Sequence, residues 1–560
     1  MHANGLHEQR PFSPAWTLGA LVLLLAAALL ARAATRPPAV VEAEDAPERF
    51  SAERAWPRLQ ALLDDTGPHP LGSAANALVR ERLEAQLSEA GYEPVLQRGR
   101  VELWDGAHEL VNVMVRWEGS EPGKAVLLTA HYDSVDEGPG ASDDGVAVAV
   151  LLEIAARLRE LGPQRNDVIL LFSDGEERGL LGAELFADAH PWFADVGVVV
   201  NLEARGTSGP SMMFQTGPHS AWLADQLSSA PRPITSSMSD EAYKRLPNDT
   251  DFTVYLERGL TGCNFAYIGS VQHYHTPEDD LAHVSLRSMQ HHGDNAWHLL
   301  RRFAAADLEN LPRGEAVYFD LLGRTVVRWP HAASWGLIAG ALALLAFVAR
   351  RWRRQGQLRY GRAAWAALLL PLSLVLAYGA TMGAAALVER GGGWPAAWVQ
   401  SPWLAACVVW PAAFAALCVL AALAAPWARA GEVCVGLWGS AALCGAALCV
   451  GVMGASYLVL VPLWVSLACA CAMGRPRAWG VLGTLLGVGA VWLPLEYDLL
   501  DGFGWSLAGA VGVRAGCVLL PLLPLLVGSS ARARLGFAAM GVLLSALGGG
   551  ACCLWQLPAS

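Results

Sequence analysis

Residues 331–560 hold eight segments apolar enough to cross a lipid bilayer, near 334–349, 363–388, 403–425, 433–451, 455–473, 478–495, 503–528 and 535–556. Crossing takes about 17–25 such residues. Hydrocarbon offers no water to backbone N–H and C=O groups, so each segment must satisfy its own as a helix. An all-α membrane domain of about eight transmembrane helices at 334–556 is therefore expected, with the lipid bilayer as its partner. The fourth and fifth segments are separated only by a tight turn around Gly454. Arg514 falls inside the 503–528 segment. It marks a buried function, snorkels from near a helix end, or reflects a shifted span boundary. A further span, 16–34 (WTLGALVLLLAAALLARAA), follows a short N-terminus, 1–15, assigned to the cytoplasm. It reads as a retained signal anchor, although Ala31-Arg32-Ala33 also suits signal-peptidase cleavage.

Arginine placement orients these spans. The loop after the first C-terminal span carries Arg350, Arg351, Arg353, Arg354, Arg359 and Arg362, a cytoplasmic signature. Alternate loops carry Arg429, then Arg475 and Arg477, then Arg532 and Arg534. The opposite loops hold Glu389 with Arg390, then Glu496, Asp498 and Asp501. Residues 35–330 are thereby expected outside the cytoplasm. The N-terminal flanks alone do not decide this, since Arg10 faces Arg32 and Arg36 across the span.

The two halves differ in charge as sharply as in hydropathy. Residues 331–560 contain no Lys, thirteen Arg and five acids, leaving 27 basic and 46 acidic residues in 1–330. An acidic soluble half argues against nucleic acid as a partner. Ten of eleven Cys lie in the membrane half, so Cys263 has no partner for a disulfide within the soluble half.

That soluble half, 40–325, reads as an α/β layer fold. Leu59, Leu62 and Leu63, then Leu78, Leu83 and Leu87, recur at helical spacing within 51–64 and 74–90. Residues 108–117 have the apolar density of a strand. AVLLTAHYDS (125–134), DVILLFSDGEE (167–177) and VGVVVNLEA (196–204) are apolar runs ending in polar residues. Helical stretches 145–160 and 179–189 separate them, which predicts a mostly parallel sheet with flanking helices. Open α/β sheets bind ligands at the carboxyl ends of their strands, where all three runs deliver their polar residues.

The chemistry sits in short motifs at those ends: His131 and Asp133 in AHYDS, Asp143 in GASDDG, Glu176 and Glu177 in DGEERG, Glu203 in NLEAR and His275 in YHTPEDD. Two imidazoles and several carboxylates are ligands suited to a pair of zinc ions. A carboxylate between two cations can bridge them. An acid beside a ligand acid can take a proton from water. Spacing alone leaves open whether Asp143 or Asp144 is the ligand and which of the adjacent glutamates is the base. His273, His283, His291 and His292 lie outside any motif and are expected at the surface.

In order, HYDS…GASDDG…DGEERGLLGA…NLEARG…FQTGP…NDTDF…YHTPEDD resembles the co-catalytic zinc aminopeptidases typified by secreted bacterial leucyl aminopeptidases. It is more similar still to their membrane branch of vacuoles, endoplasmic reticulum and bacterial envelopes, whose C-terminal half is multispan. The resemblance covers roughly residues 50–305 at motif level. It implies a zinc exopeptidase-like fold, two zinc ions and a peptide substrate. One zinc would be held by Asp143, Glu177 and His275, the other by His131, the bridging Asp143 and Glu203. Glu176 would be general base, Asp133 would orient His131, and Tyr274 would help hold the tetrahedral intermediate. Asp249, Asp251 and Phe252 of NDTDF would line the substrate pocket, with a helix N-cap at Asp249 the plainer alternative. The resemblance implies an aminopeptidase. A glutaminyl-cyclase-like aminoacyltransferase and a transporter or scaffold with an inactive peptidase-like domain are the rivals. The bacterial inner membrane, facing the periplasm, is the preferred location over a vacuolar or endoplasmic-reticulum membrane.

Overall fold

The structure is a computed structural model that describes residues 11–44, 48–392, 402–473, 478–495 and 508–554. Its contacts divide the chain into two units, Ala34–His331 and a helical unit of Met1–Ala33 with Ala332–Ser560.

In the first unit seven strands form one sheet: β1 (Val95–Leu103), β2 (Gly106–Trp117), β3 (Ala125–His131), β4 (Val168–Ser173), β5 (Val196–Ala204), β6 (Met212–Thr216) and β7 (Gly262–Tyr267). Their order is β1-β2-β4-β3-β5-β7-β6. The four central strands, β4-β3-β5-β7, are parallel, and the flanking pairings of β1, β2 and β6 are antiparallel. The parallel core thus matches the sequence reading, while the antiparallel margins modify it. Residues 108–117 belong to β2, which returns from β1 through a two-residue turn at Trp104-Asp105 and must therefore run against it.

β3 and β4 are buried at every residue, because helices cover both faces of the sheet. Val126, Leu128 and Ala130 of β3 and Val168, Leu170 and Phe172 of β4 pack on the face that carries the helices Ala52–Leu63, Ala147–Leu161 and Leu286–Ala304. Leu127, Ile169, Leu171 and Val199 point the other way, toward Leu181–Ala189 and Asp251–Glu257. Side chains alternate across a strand, so this parity also assigns the polar residues at the strand ends. His131, Ser173 and Glu203 share the odd-numbered face with Leu127, Leu171 and Val199.

Helices at 52–63 and 74–89 begin where Ser51 and Ser73 accept from the N–H groups of Arg54 and Asn76. In the second, Val79, Leu83 and Leu87 are buried and Leu78 is 39% exposed. The buried stripe follows the strict four-residue step and excludes Leu78, contrary to the expected pattern.

In the second unit eight described helices are long and apolar enough to cross a membrane, Pro14–Thr35 among them. The turn at Met453–Ala455 does separate two helices. The expected span 478–495 is a helix of 15 residues, Ala478–Trp492, only about 22 Å long by its rise per residue. Arg514 is 3% exposed and donates to Trp492 O at 2.6 Å and Leu495 O at 2.9 Å. Trp492 O is an orphan carbonyl at the end of that helix and Leu495 O follows three residues later, so Arg514 acts as a C-terminal cap and not as a snorkelling side chain. Arg10, Arg475, Arg477, Glu496, Asp498, Asp501 and the start of the 503–528 span lie outside the described residues.

Candidate metal centre

The chain passes from β3 to β4 on one side and then crosses to β5 on the other, which makes the carboxyl end of β3 a topological switch point. His131 closes β3, Glu203 lies at the same level on β5, and Glu176-Glu177 follow β4. The loop after β7 supplies Tyr274 and His275. Asp143 and Asp144 enter from the turn Ala141–Val146 at the head of the helix Ala147–Leu161.

That turn is tightly held. Gly140 stands at φ 61°, and a Cβ there would fall 2.6 Å from Asp143 O, so the position requires glycine. Asp279, the second-last acid of YHTPEDD, accepts from the N–H groups of Ser142 at 2.7 Å and Asp143 at 3.1 Å. It ties the His275 loop to the Asp143 turn. Sequence reasoning assigned Asp279 nothing, although it lies within a motif already singled out.

Asp143 has one carboxylate oxygen toward each imidazole: Oδ1 is 3.3 Å from His131 Nε2 and Oδ2 is 3.3 Å from His275 Nε2. Glu177 Oε1 is 3.2 Å from His275 Nε2, and Glu203 Oε2 is 3.8 Å from His131 Nε2. The structure therefore brings all five expected ligands together. Asp144 also comes close, grouping with His131 and Glu203.

Asp133 faces His131 Nδ1 with two groups. Its backbone carbonyl lies 3.0 Å from Nδ1, and its carboxylate 3.5 Å away. The carboxylate also accepts from the N–H groups of Glu176 at 3.0 Å and Glu177 at 3.3 Å. One residue thus fixes the imidazole through its carbonyl and both glutamates through its side chain. A proton on His131 Nδ1 leaves Nε2 free as a ligand. Arg178, the next residue, pairs with Asp136 and steadies the same turn.

His275 adopts φ 56°, uncommon for a residue with a side chain, and this turns its ring toward Asp143 and Glu177. Tyr274 stacks on it with ring centroids 3.7 Å apart. Burial raises the Tyr274 phenol's pKa, and the carboxylates of Asp143 and Glu177 add to the effect. Burial lowers the pKa of His275, but Asp143 and Glu177 outweigh it and hold the ring up at about 10.

The NDTDF residues separate. Asp249 is exposed, and Thr250 caps the helix Asp251–Glu257. Asp251 is buried, accepts from Ser173 Oγ through one oxygen and leaves Oδ1 without a partner. Burial pushes Asp251 up to about 6. Phe252 is fully buried in the apolar layer with Leu127, Ile169 and Phe186. The expectation that Phe252 lines the pocket is therefore corrected: one step along the helix from Asp251 turns the side chain into the core. His291 and His292 are also corrected, being fully buried and bonded to Ser211, with His291 Nε2 against Arg232 O. Burial lowers them to about 4 and about 3, which keeps both rings neutral. Their isolation from motifs said nothing of burial, because they lie on the helix Leu286–Ala304, whose inner face packs on the sheet. Asn201 was missed as well. It donates to Glu203 Oε1 at 3.2 Å and to Asn264 Oδ1 at 3.0 Å. Its place two residues before Glu203 on a strand was the available signal.

The donor set fits divalent cations. Asp143, Asp144, Glu176, Glu177, Glu203 and Asp251 surround two imidazoles, and both oxygens of Asp144 are buried without a hydrogen bond. Burying this much negative charge is costly unless cations offset it. The spacing agrees: ligand atoms about 2.1 Å from a tetrahedral zinc lie roughly 3.4 Å from one another. Burial raises the pKa of Glu176, His131 lowers it, and Glu203, Asp251 and Glu177 raise it further.

Residues 112–300 match the model of Peptidase family M28. Endoplasmic reticulum metallopeptidase 1 of Rattus norvegicus is 33% identical over 285 residues, covering 49% of this chain and 31% of that protein. Vacuolar membrane protease of Candida albicans is 33% identical over 282 residues, covering 49% and 32% respectively. The match thus spans about a third of the length of these curated relatives. Among solved structures, a glutaminyl cyclase from an Acidobacteriales bacterium is similar at 19% identity and TM-score 0.38, covering 48% of this chain and 99% of that one.

Proposed function

We propose that the chain, whose residues 112–300 match the model of Peptidase family M28, is a membrane-anchored two-zinc aminopeptidase. The placement of Asp143 carries this reading, since each oxygen faces a different imidazole at 3.3 Å and each imidazole has a further acid beside it. Asp143, Glu177 and His275 would hold one zinc, and Asp143, His131 and Glu203 the other. The ions, when bound, supply Lewis-acid polarisation of the scissile carbonyl and acidify water.

The protein's own groups do the rest. Glu176 takes a proton from the attacking water through its carboxylate and delivers it to the departing amine. Asp133 keeps Glu176 in place by accepting its N–H. Tyr274, stacked on His275, offers its hydroxyl to the developing oxyanion. Asp251 accepts from Ser173 Oγ at the base of the site, a position suited to shaping the pocket electrostatically.

Two zinc ions per chain are expected from elemental analysis of protein purified with the metal present. A stoichiometry of one that persists with added zinc overturns the two-metal reading and favours the cyclase-like alternative.

The arginine-rich loop at 350–362 lies in the cytoplasm in this reading, and the catalytic unit lies outside, with the periplasm the preferred compartment. Cysteine labelling from the external face is expected to reach residue 45 and, with nine spans, residue 558, but not residue 356. External labelling at 356 overturns the topology.

A further inference from the structure

Every acid at the centre has an imidazole, a backbone N–H or another acid beside it, yet among the described residues one cation next to them forms no ion pair. Arg205 follows Glu203 by two residues. Its N–H continues the β5–β7 ladder by donating to Tyr267 O at 2.9 Å, so its side chain leaves on the same face as Glu203. The guanidinium lies 5.6 Å from the centroid of the Tyr274 ring, which in turn stacks on His275. Its Nε is buried without a hydrogen bond. Among the described residues its side chain forms no ion pair, whereas Arg178, beside Glu177, pairs with Asp105 and Asp136.

A half-buried guanidinium with an orphaned N–H is costly unless something else accepts from it. Its planar fork matches a carboxylate. Asp143, Glu177 and Glu203 instead face the two imidazoles.

We propose that Arg205 binds the free C-terminal carboxylate of a short peptide substrate, so that the enzyme favours dipeptides and similarly short peptides over longer chains. The inference rests on the aminopeptidase reading. The α-ammonium meets the acid cluster, and the carboxylate end of a short substrate reaches the Arg205 guanidinium beyond it. The Tyr274 ring holds the guanidinium by a cation–π contact and keeps it close to the reacting carbonyl.

The test compares leucyl-glycine with leucyl-glycinamide on the zinc-loaded full chain in detergent. A charge-assisted contact predicts kcat/KM about ten- to a hundredfold higher for the free acid. Arg205→Gln is expected to bring the acid-to-amide ratio to about one, and Arg205→Lys to retain part of it. Equal cleavage of acid and amide by the native protein overturns the proposal. An equal loss on both substrates in Arg205→Gln also overturns it, assigning Arg205 to positioning Tyr274. Failure to cleave either substrate sinks the aminopeptidase reading itself, and this inference with it.

Discussion

Glu176→Gln lowers turnover by about 10²–10⁴-fold, the usual worth of a general acid–base group, and leaves zinc content and folding intact. Glutamine preserves the side-chain shape and the backbone N–H bond to Asp133, at 3.0 Å, that sets the turn. What it removes is the capacity to accept a proton. The neighbouring change has a different signature. Glu177 Oε1 stands 3.2 Å from His275 Nε2, so Glu177→Gln takes a charge from the ligand set and lowers metal occupancy first. Steady-state kinetics on aminoacyl arylamides, paired with elemental analysis of each variant, separates the two. Near-normal turnover in Glu176→Gln would remove it as the base.

Acetylating the N-terminus of a peptide substrate reduces kcat/KM by about a hundredfold or more, a loss of about 2.7 kcal/mol in transition-state binding. The cause is charge. Glu176 and Glu203 stand at the site, where burial raises the proton affinity of both and Glu203 raises that of Glu176 further. A protonated amine placed among them pairs with a carboxylate that zinc does not fully neutralise, and this pairing sets the first peptide carbonyl over the metals. The acidic balance of residues 1–330 adds a general attraction for cationic N-termini. Measured on matched free and acetylated peptides, equal rates identify an endopeptidase or carboxypeptidase. The two-zinc site survives that outcome, and the aminopeptidase assignment does not.

Local patterns made much of this protein legible. Apolar length marked the membrane helices, because hydrocarbon leaves the backbone no alternative. Apolar runs ending in polar residues located β3, β4 and β5, and with them His131, Glu176, Glu177 and Glu203, because a strand carries its ligand at a fixed end. Other features depend on which element lies alongside, and a linear pattern does not encode that. The sheet order, with β3 between β4 and β5, put His131 and Glu203 at one level on one face. The loop after β7 brought His275 and Asp279 back over Asp143. Asp251 and Phe252 are adjacent in sequence, yet the helix turns one toward the site and the other into the core. Burial of His291 and His292 and the capping by Arg514 of a helix some twenty residues earlier likewise arise from packing. The sequence determined which groups stand at the strand ends and which segments are apolar enough to cross a bilayer, because both follow from backbone periodicity and solvation. The tertiary structure alone decided which of those groups meet, because their approach depends on strand order and loop return.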